Sequence, residues 1–302
     1  MVVAAVGAVA LGVLTDGVAA ASLTYSVTMR WGATAPECVA PVVCSGTGTG
    51  SFSYGTPFES SAPATLDVGT KASVSQVDDQ WAIAGSLRYC NGTTIVGTTV
   101  DAVDLDVAVN VTGVGSASTS DTTLLLNTVN SEDPLASADV LSFSSDPARR
   151  LHVLEGECAE VELRTRLTIV PNLGIEVSLG EILTPGSGFV TVDGRREVAI
   201  EIKPGGVPNP IKLTAQGVVP VAILGSALTD VRTIDPGTVR FEGGVPDKQK
   251  VTDVNKDGIL DLLIHVPYQS LVELHHGDTQ ACATFATLQG ELLIGCDTVK
   301  VL

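Results

Sequence analysis

Aromatic side chains are scarce in this chain, at 4% of 302 residues, with two Trp, four Tyr and six Phe. Charged side chains are also few, at 17%, and the bases number 17 against 34 acids. The resulting net charge of −17 repels phosphate backbones and anionic lipid surfaces, so nucleic acid and acidic membranes are disfavoured as partners, and cations are favoured. Beyond the N-terminus there is no apolar run of about 20 residues, so nothing there reads as a membrane-spanning helix. Motifs of the HExxH, GxSxG and P-loop kinds are missing, as is any CxxC pair. Among 34 acids no carboxylate pair stands out for glycoside cleavage.

What is abundant is hydrophobic residues, at 44%, together with 31 Gly and 15 Pro. That excludes wholesale disorder and favours short strands joined by tight turns. The segment Asp101–Val111 is the clearest: Val103, Leu105, Val107, Val109 and Val111 alternate with Asp104, Asp106, Ala108 and Asn110. A period of two places the apolar set on one sheet face. Further strands are expected at Ser51–Tyr54, Thr122–Asn127, Cys158–Leu167, Val198–Lys203, Val218–Leu224, Thr238–Phe241, Leu260–Val266 and Ala283–Leu288. Asn91-Gly92 has the form of a hairpin turn between Gly85–Cys90 and Thr93–Val100. Ser270–His276 has room for one helical turn.

The expected fold class is all-β, with two antiparallel β-sandwich domains, jelly-roll or Ig-like, in tandem. Residues 1–21 read as a secretory signal peptide. Val2–Leu14 is uncharged, and Val18-Ala19-Ala20-Ala21 offers a small-residue cleavage site, although no Lys or Arg precedes the apolar stretch. A first domain spans about 22–170, a linker or edge strand 171–196, with Phe189–Val192 as the strand, and a second domain 197–302. Export agrees with six cysteines, Cys38, Cys44, Cys90, Cys158, Cys282 and Cys296. Cys38 with Cys44 would close a small loop and Cys282 with Cys296 would staple a hairpin, leaving Cys90 and Cys158. Spacing alone leaves all of the roughly fifteen connectivities open.

The first domain resembles the choice-of-anchor K family of bacterial surface proteins. Trp31-Gly32, Ser51-Phe52-Ser53-Tyr54-Gly55-Thr56-Pro57, Leu87-Arg88-Tyr89-Cys90-Asn91-Gly92-Thr93, Gly97-Thr98, Asn127-Thr128 and Asp133-Pro134-Leu135-Ala136-Ser137-Ala138-Asp139 carry the resemblance. It implies an exported β-domain without an assigned activity. The second domain is similar to a C-terminal module of exported bacterial proteins. The residues are Ile200–Gly205, Gly217–Gly225, Thr233–Phe241 and Asp253-Val254-Asn255-Lys256-Asp257-Gly258. Its implied trait is a calcium loop.

That loop also stands on its own chemistry. Asp253, Asn255, Asp257 and Asp261 place side-chain oxygens at positions 1, 3, 5 and 9; Gly258 at position 6 permits a sharp turn, and Ile259 at position 7 offers its backbone carbonyl. Ca²⁺ takes six to eight such hard ligands. Position 12, a bidentate Glu in helix-loop-helix sites, is Ile264, and Leu262-Leu263-Ile264 reads as a strand. The loop therefore resembles those of dockerin or thrombospondin-type repeats. Glu201, Asp235 and Asp278 are candidates for missing ligands.

Other candidates are His275-His276 with Glu273 and Asp278 for a transition metal, and Glu132, Asp133 and Asp139 for a second cation. Trp31, Tyr54 and Trp81 are candidates for a glycan platform, though with so few aromatics packing is the better reading. Asn91-Gly92-Thr93 and Asn110-Val111-Thr112 match glycosylation sequons. The expected function is that of an exported, non-enzymatic surface or extracellular-matrix protein with a structural calcium. The alternatives are a calcium-dependent glycan-binding module protein and a polysaccharide-active hydrolase or lyase. Calcium is the expected ligand, with a glycan or another surface protein left open as partner.

Overall fold

Strict alternation along long strands builds the molecule. The computed structural model describes residues 22–129, 137–170, 174–184, 188–206 and 209–302. The fold is all-β: among the described residues helix is confined to single 3-10 turns at Val231–Thr233, Pro236–Thr238 and Tyr268–Ser270. No helix among them is long and apolar enough to cross a membrane.

The first half contains β1 (Ser22–Ala35), β2 (Cys44–Ser45), β3 (Ser51–Tyr54), β4 (Ala64–Thr70), β5 (Val74–Val77), β6 (Ala82–Cys90), β7 (Ala102–Val111), β8 (Gly115–Asn127), β9 (Asp139–Phe143), β10 (Asp146–Val153), β11 (Cys158–Val170), β12 (Gly174–Thr184) and β13 (Phe189–Val192). The second half contains β14 (Arg195–Glu197), β15 (Ile200–Ile202), β16 (Pro210–Ile211), β17 (Val218–Ile223), β18 (Arg240–Phe241), β19 (Lys248–Thr252), β20 (Asp261–Pro267), β21 (Gln280–Ala286), β22 (Leu292–Thr298) and β23 (Lys300–Val301).

In the first half, the row β5-β1-β7-β8-β9-β10-β13 shares one core with the six-stranded sheet β2-β3-β4-β6-β11-β12. Tyr25, Val27, Met29 and Trp31 of β1 are buried while Ser26, Thr28 and Arg30 between them are exposed. On β7 the expected face, Val103 to Val111, is wholly buried. Leu87, Val161, Leu163 and Leu167 answer from the other sheet, and the Tyr25 hydroxyl meets Thr165 Oγ1 at 2.8 Å across the core. Full burial of such a side chain stabilises by about 1.5–3 kcal/mol.

A second core lies in the other half. The sheet β15-β17-β20-β19 presents Ile202, Val219, Val221, Ile264 and Val266 toward Phe241, Ala283, Phe285 and Leu293 of β18, β21 and β22. The two halves share one sheet. β13 pairs with β10, turns through Asp193-Gly194 and returns as β14, which pairs with β22. Both turn residues have positive φ, 49° and 74°, as a type I′ hairpin requires. Phe189–Val192 is thus an interior strand between β10 and β14, and residues 174–184 add β12 at the free edge of the six-stranded sheet. The β14–β22 and β16–β23 pairings are parallel, unlike the expected antiparallel pattern. The long stretch of chain between the partners makes room for the crossovers.

Asn91-Gly92 is not a hairpin turn. Asn91 is buried, its Nδ2 donates to Val153 O at 2.9 Å, and its backbone N–H donates to Glu157 O. A Cβ on Gly92 would meet Ala62 O at 2.3 Å, so this glycine serves close packing. Thr93–Val100 is consequently loop rather than strand.

Three disulfides join Cys38–Cys44, Cys90–Cys158 and Cys282–Cys296, leaving no free cysteine. The last two link directly opposed residues of β6–β11 and β21–β22. The Cys90–Cys158 tie spans 68 positions and Cys282–Cys296 spans 14. In the loop-closure model these restrict the unfolded chain by about 4 and about 3 kcal/mol. Urea unfolding should therefore show a larger stability loss for the double Ser variant at Cys90 and Cys158 than for the one at Cys282 and Cys296. The reverse order would mean that loop closure does not govern their contribution.

Candidate functional site

The Asp253–Asp261 segment is the connection from β19 to β20. The chain coils around the Asp253 carboxylate, which accepts from Lys256 N at 2.7 Å and from Gly258 N at 3.1 Å. Asn255 Nδ2 donates to Asp257 Oδ2 at 2.9 Å, and Asp257 Oδ1 accepts from Ile259 N at 2.8 Å. Asn255, Asp257 and Ile259 are exposed. Gly258 takes φ +88°, and a Cβ there would meet nothing within 4 Å, so its requirement is conformational.

Asp261 differs from the rest of the loop in burial. It is fully buried; Oδ1 accepts from Gly225 N at 2.9 Å and Oδ2 from Val254 N at 2.7 Å. It pins the acidic loop to the end of β17. Gly225 permits that approach: a Cβ there would lie 2.2 Å from Leu260 O. Asp253, Asn255 and Asp257 thus share one exposed turn, while Asp261 anchors it from beneath. Among the described residues no three His, Cys, Asp or Glu side chains are grouped closely enough to hold a metal. Ile264, at position 12, is buried in the core.

The candidate extra ligands are occupied locally. Glu201 accepts from Gly205 N, Asp235 from Gly237 N in capping a 3-10 turn, and Asp278 from His275 N. His275 is exposed, 3.9 Å from Asp278. Glu242 lies near this group, and its pKa is raised by burial first and then by the charges of Glu273 and Asp278.

Glu132 and Asp133 lie outside the described residues. Asp139 is only 2% exposed and belongs to a buried polar chain. Tyr54 Oη donates to Tyr89 Oη at 3.1 Å, Tyr89 Oη donates to Asp139 Oδ2 at 3.3 Å, and Val129 N donates to Asp139 Oδ1 at 2.9 Å. Burial pushes both phenols up, and it lifts the Asp139 carboxyl to about 6 against the lowering effect of its hydrogen bonds. His152 is stacked on Phe189 at 4.4 Å and hydrogen-bonded to Thr191 Oγ1 at 2.9 Å. Burial, aided by Arg150, lowers its pKa to about 4.

Of the aromatic candidates, Trp31 and Tyr54 are buried in the first core and only Trp81 is exposed. The sequons divide likewise: the Asn91 amide is buried and bonded, whereas Asn110 is exposed on β7. Sequence reasoning did not single out a cleft of about 590 Å³ at the junction of the halves, lined by Phe189, Val190, Arg196, Leu224, Leu228 and Thr229. Arg196 is already engaged there, by both carboxylate oxygens of Glu291 at 2.6 and 3.0 Å and by Thr229 Oγ1 at 3.0 Å. The cleft is assembled by segments far apart in sequence, so no local pattern announces it.

No protein-family model matches the chain, and no curated protein matches it. One matching solved structure is that of a bacterial ice-binding adhesin of 1.5 MDa, described for its host cell surface retention. The match has 12% identity, 91% of this chain and 97% of that chain covered, and a TM-score of 0.20.

Asp139 and His152 give stability opposite slopes with pH. Between about pH 4 and 6 the folded Asp139 holds more proton than the unfolded, so its contribution falls as pH rises. His152 contributes fully above about pH 6.5 and loses that contribution as pH falls toward 4. Asp139→Asn should therefore leave a stability that climbs more steeply from pH 4 to 6.5, and His152→Gln one that climbs less or declines. Urea midpoints across that range read both slopes; slopes unchanged in both variants would refute the assignment.

Proposed function

We propose that this chain is an exported, non-enzymatic surface or extracellular-matrix protein whose second half is stabilised by Ca²⁺ in the Asp253–Asp261 loop. The observation that carries the reading is the exposed turn itself. Asp253, Asn255 and Asp257 lie within five residues, coiled about the Asp253 carboxylate with Gly258 at the bend. Each Asp253 oxygen that accepts one N–H keeps a further lone pair for a cation. Ile259 would add its carbonyl, with water filling the remaining positions. The ion would offset repulsion among carboxylates on an already acidic chain and tie β19 to β20.

The disulfides favour an oxidising location outside the cytoplasm. The choice-of-anchor K resemblance points the same way, as does the signal-like segment 1–21. In this reading the first half is a rigid presenting body and the second a calcium-braced base.

The reading also assigns different jobs to the four loop residues. Asp253, Asn255 and Asp257 are ligands, whereas Asp261 is primarily a positioning residue, holding Gly225 and Val254. A ligand that binds the folded state alone stabilises by about 2.7 kcal/mol at a hundred times its Kd.

Thermal unfolding with calcium and with chelator tests this. Wild type should melt higher in calcium, and Asp257→Ala should abolish the difference. Gly258→Val should lower stability through its backbone alone. Asp261→Asn should lower the melting point even in chelator, since a buried N–H left without an acceptor costs about 1–3 kcal/mol. Identical wild-type melts in both conditions would refute the calcium assignment.

A further inference from the structure

Trp81 is set differently from Trp31. It immediately precedes β6, and its side chain is 41% exposed, whereas Trp31 is fully buried. Ala82 is paired with Thr165 of β11, which places Trp81 beside Arg166 on the outer side of the six-stranded sheet. The indole extends across β11 to β12, where Gly180 leaves space for it. A Cβ on Gly180 would lie 3.1 Å from Cη2 and Cζ3 of the ring and 3.4 Å from Cε3. Three consecutive ring atoms therefore rest against a residue without a side chain. The Arg166 guanidinium lies over the ring, 4.9 Å from its centroid, and also contacts Asp79 at 4.0 Å.

Beside the ring is a notch of about 330 Å³, shared by Trp81 with Asp146, Arg164, Gly180, Glu181 and Ile182. It combines an exposed aromatic surface with carboxylate acceptors and guanidinium donors. An aromatic ring with polar groups at its margin suits a ligand with one apolar face and a hydroxylated rim. A pyranose ring has that character. The carboxylates of Asp146, Glu181 and the nearby Glu162, on a chain of net charge −17, weigh against an acidic sugar. Glu162 also fixes Arg164, accepting from its Nε at 2.6 Å.

We propose that Trp81, Gly180 and the adjoining Asp146–Glu181 notch form a binding site for a neutral pyranose oligosaccharide. The exposed part of the indole supplies the apolar surface, Gly180 lets it lie against the sheet, and Asp146, Glu162 and Arg166 take sugar hydroxyls. The site uses no residue of the acidic loop, so it stands independently of the calcium reading.

Fluorescence titration tests it directly, because Trp31 is buried and Trp81 is the solvent-facing emitter. The probes are β-1,4-linked hexamers of glucose and of N-acetylglucosamine, with oligogalacturonate as the acidic counterpart. At least one neutral hexamer should give a saturable change that Trp81→Ala removes while the Trp31 emission still reports a folded core. Gly180→Ala, by displacing the ring, should weaken binding about fivefold, near 1 kcal/mol. Trp81→Tyr should restore part of the affinity, read by calorimetry. No saturable change with either neutral hexamer, a response that survives Trp81→Ala, or a response to oligogalacturonate alone would overturn the assignment.

Discussion

Burial of a valine- and leucine-rich face on long strands is the constraint on which this molecule depends. With 4% aromatics, few single side chains can anchor a core. The alternative is many modest contributions held in strict register. β1 and β7 show it most clearly, with Tyr25 to Trp31 and Val103 to Val111 facing the same interior. A one-residue slip between them would turn that whole apolar set toward water. The cross-strand disulfides at Cys90–Cys158 and Cys282–Cys296 hold register at one point in each half.

Polar groups inside this framework are used sparingly and in connected sets. Tyr54, Tyr89 and Asp139 form one chain that ends on the Val129 amide. Asp261 satisfies two backbone amides from segments 29 residues apart, Gly225 and Val254. In each case a carboxylate is retained in the interior because it supplies acceptors that no apolar residue could. The acidic loop accordingly joins the half-buried Asp253 and the exposed Asn255 and Asp257 to one buried carboxylate, Asp261, that fixes where they stand.

Much of this was legible in sequence. The period of two at Asp101–Val111 gave β7 within a residue, and the Asp253–Asp261 spacing marked the tight turn and its acidic content. What local pattern could not give was direction. Nothing near Asp261 says that its carboxylate points inward, because its partner amide is on Gly225, 36 residues earlier. Asn91-Gly92 has the composition of a hairpin turn, yet Ala62 and Val153, both distant in sequence, determine its use. Phe189–Val192 was legible as a strand, but β12 and the pairing of β13 with β14 were obscured because Gly and Pro in residues 171–196 look like a linker when their pairing partners are out of view. The β1 alternation, Tyr25-Val27-Met29-Trp31, is as regular in the sequence as that of β7.

The hairpin through Asp193-Gly194 also has a mechanical meaning. A flexible tether would let two bodies swivel about it, whereas here hydrogen-bonded strands run without interruption from β10 through β13 and β14 to β22. Bending at that point would require breaking ladder bonds and the Arg149–Glu197 ion pair at 2.8 Å. Stress applied to one half is thereby carried into the other as shear between neighbouring strands. Projected from a support, such a chain would act as one stiff lever, with the orientation of its far end fixed by that of its base.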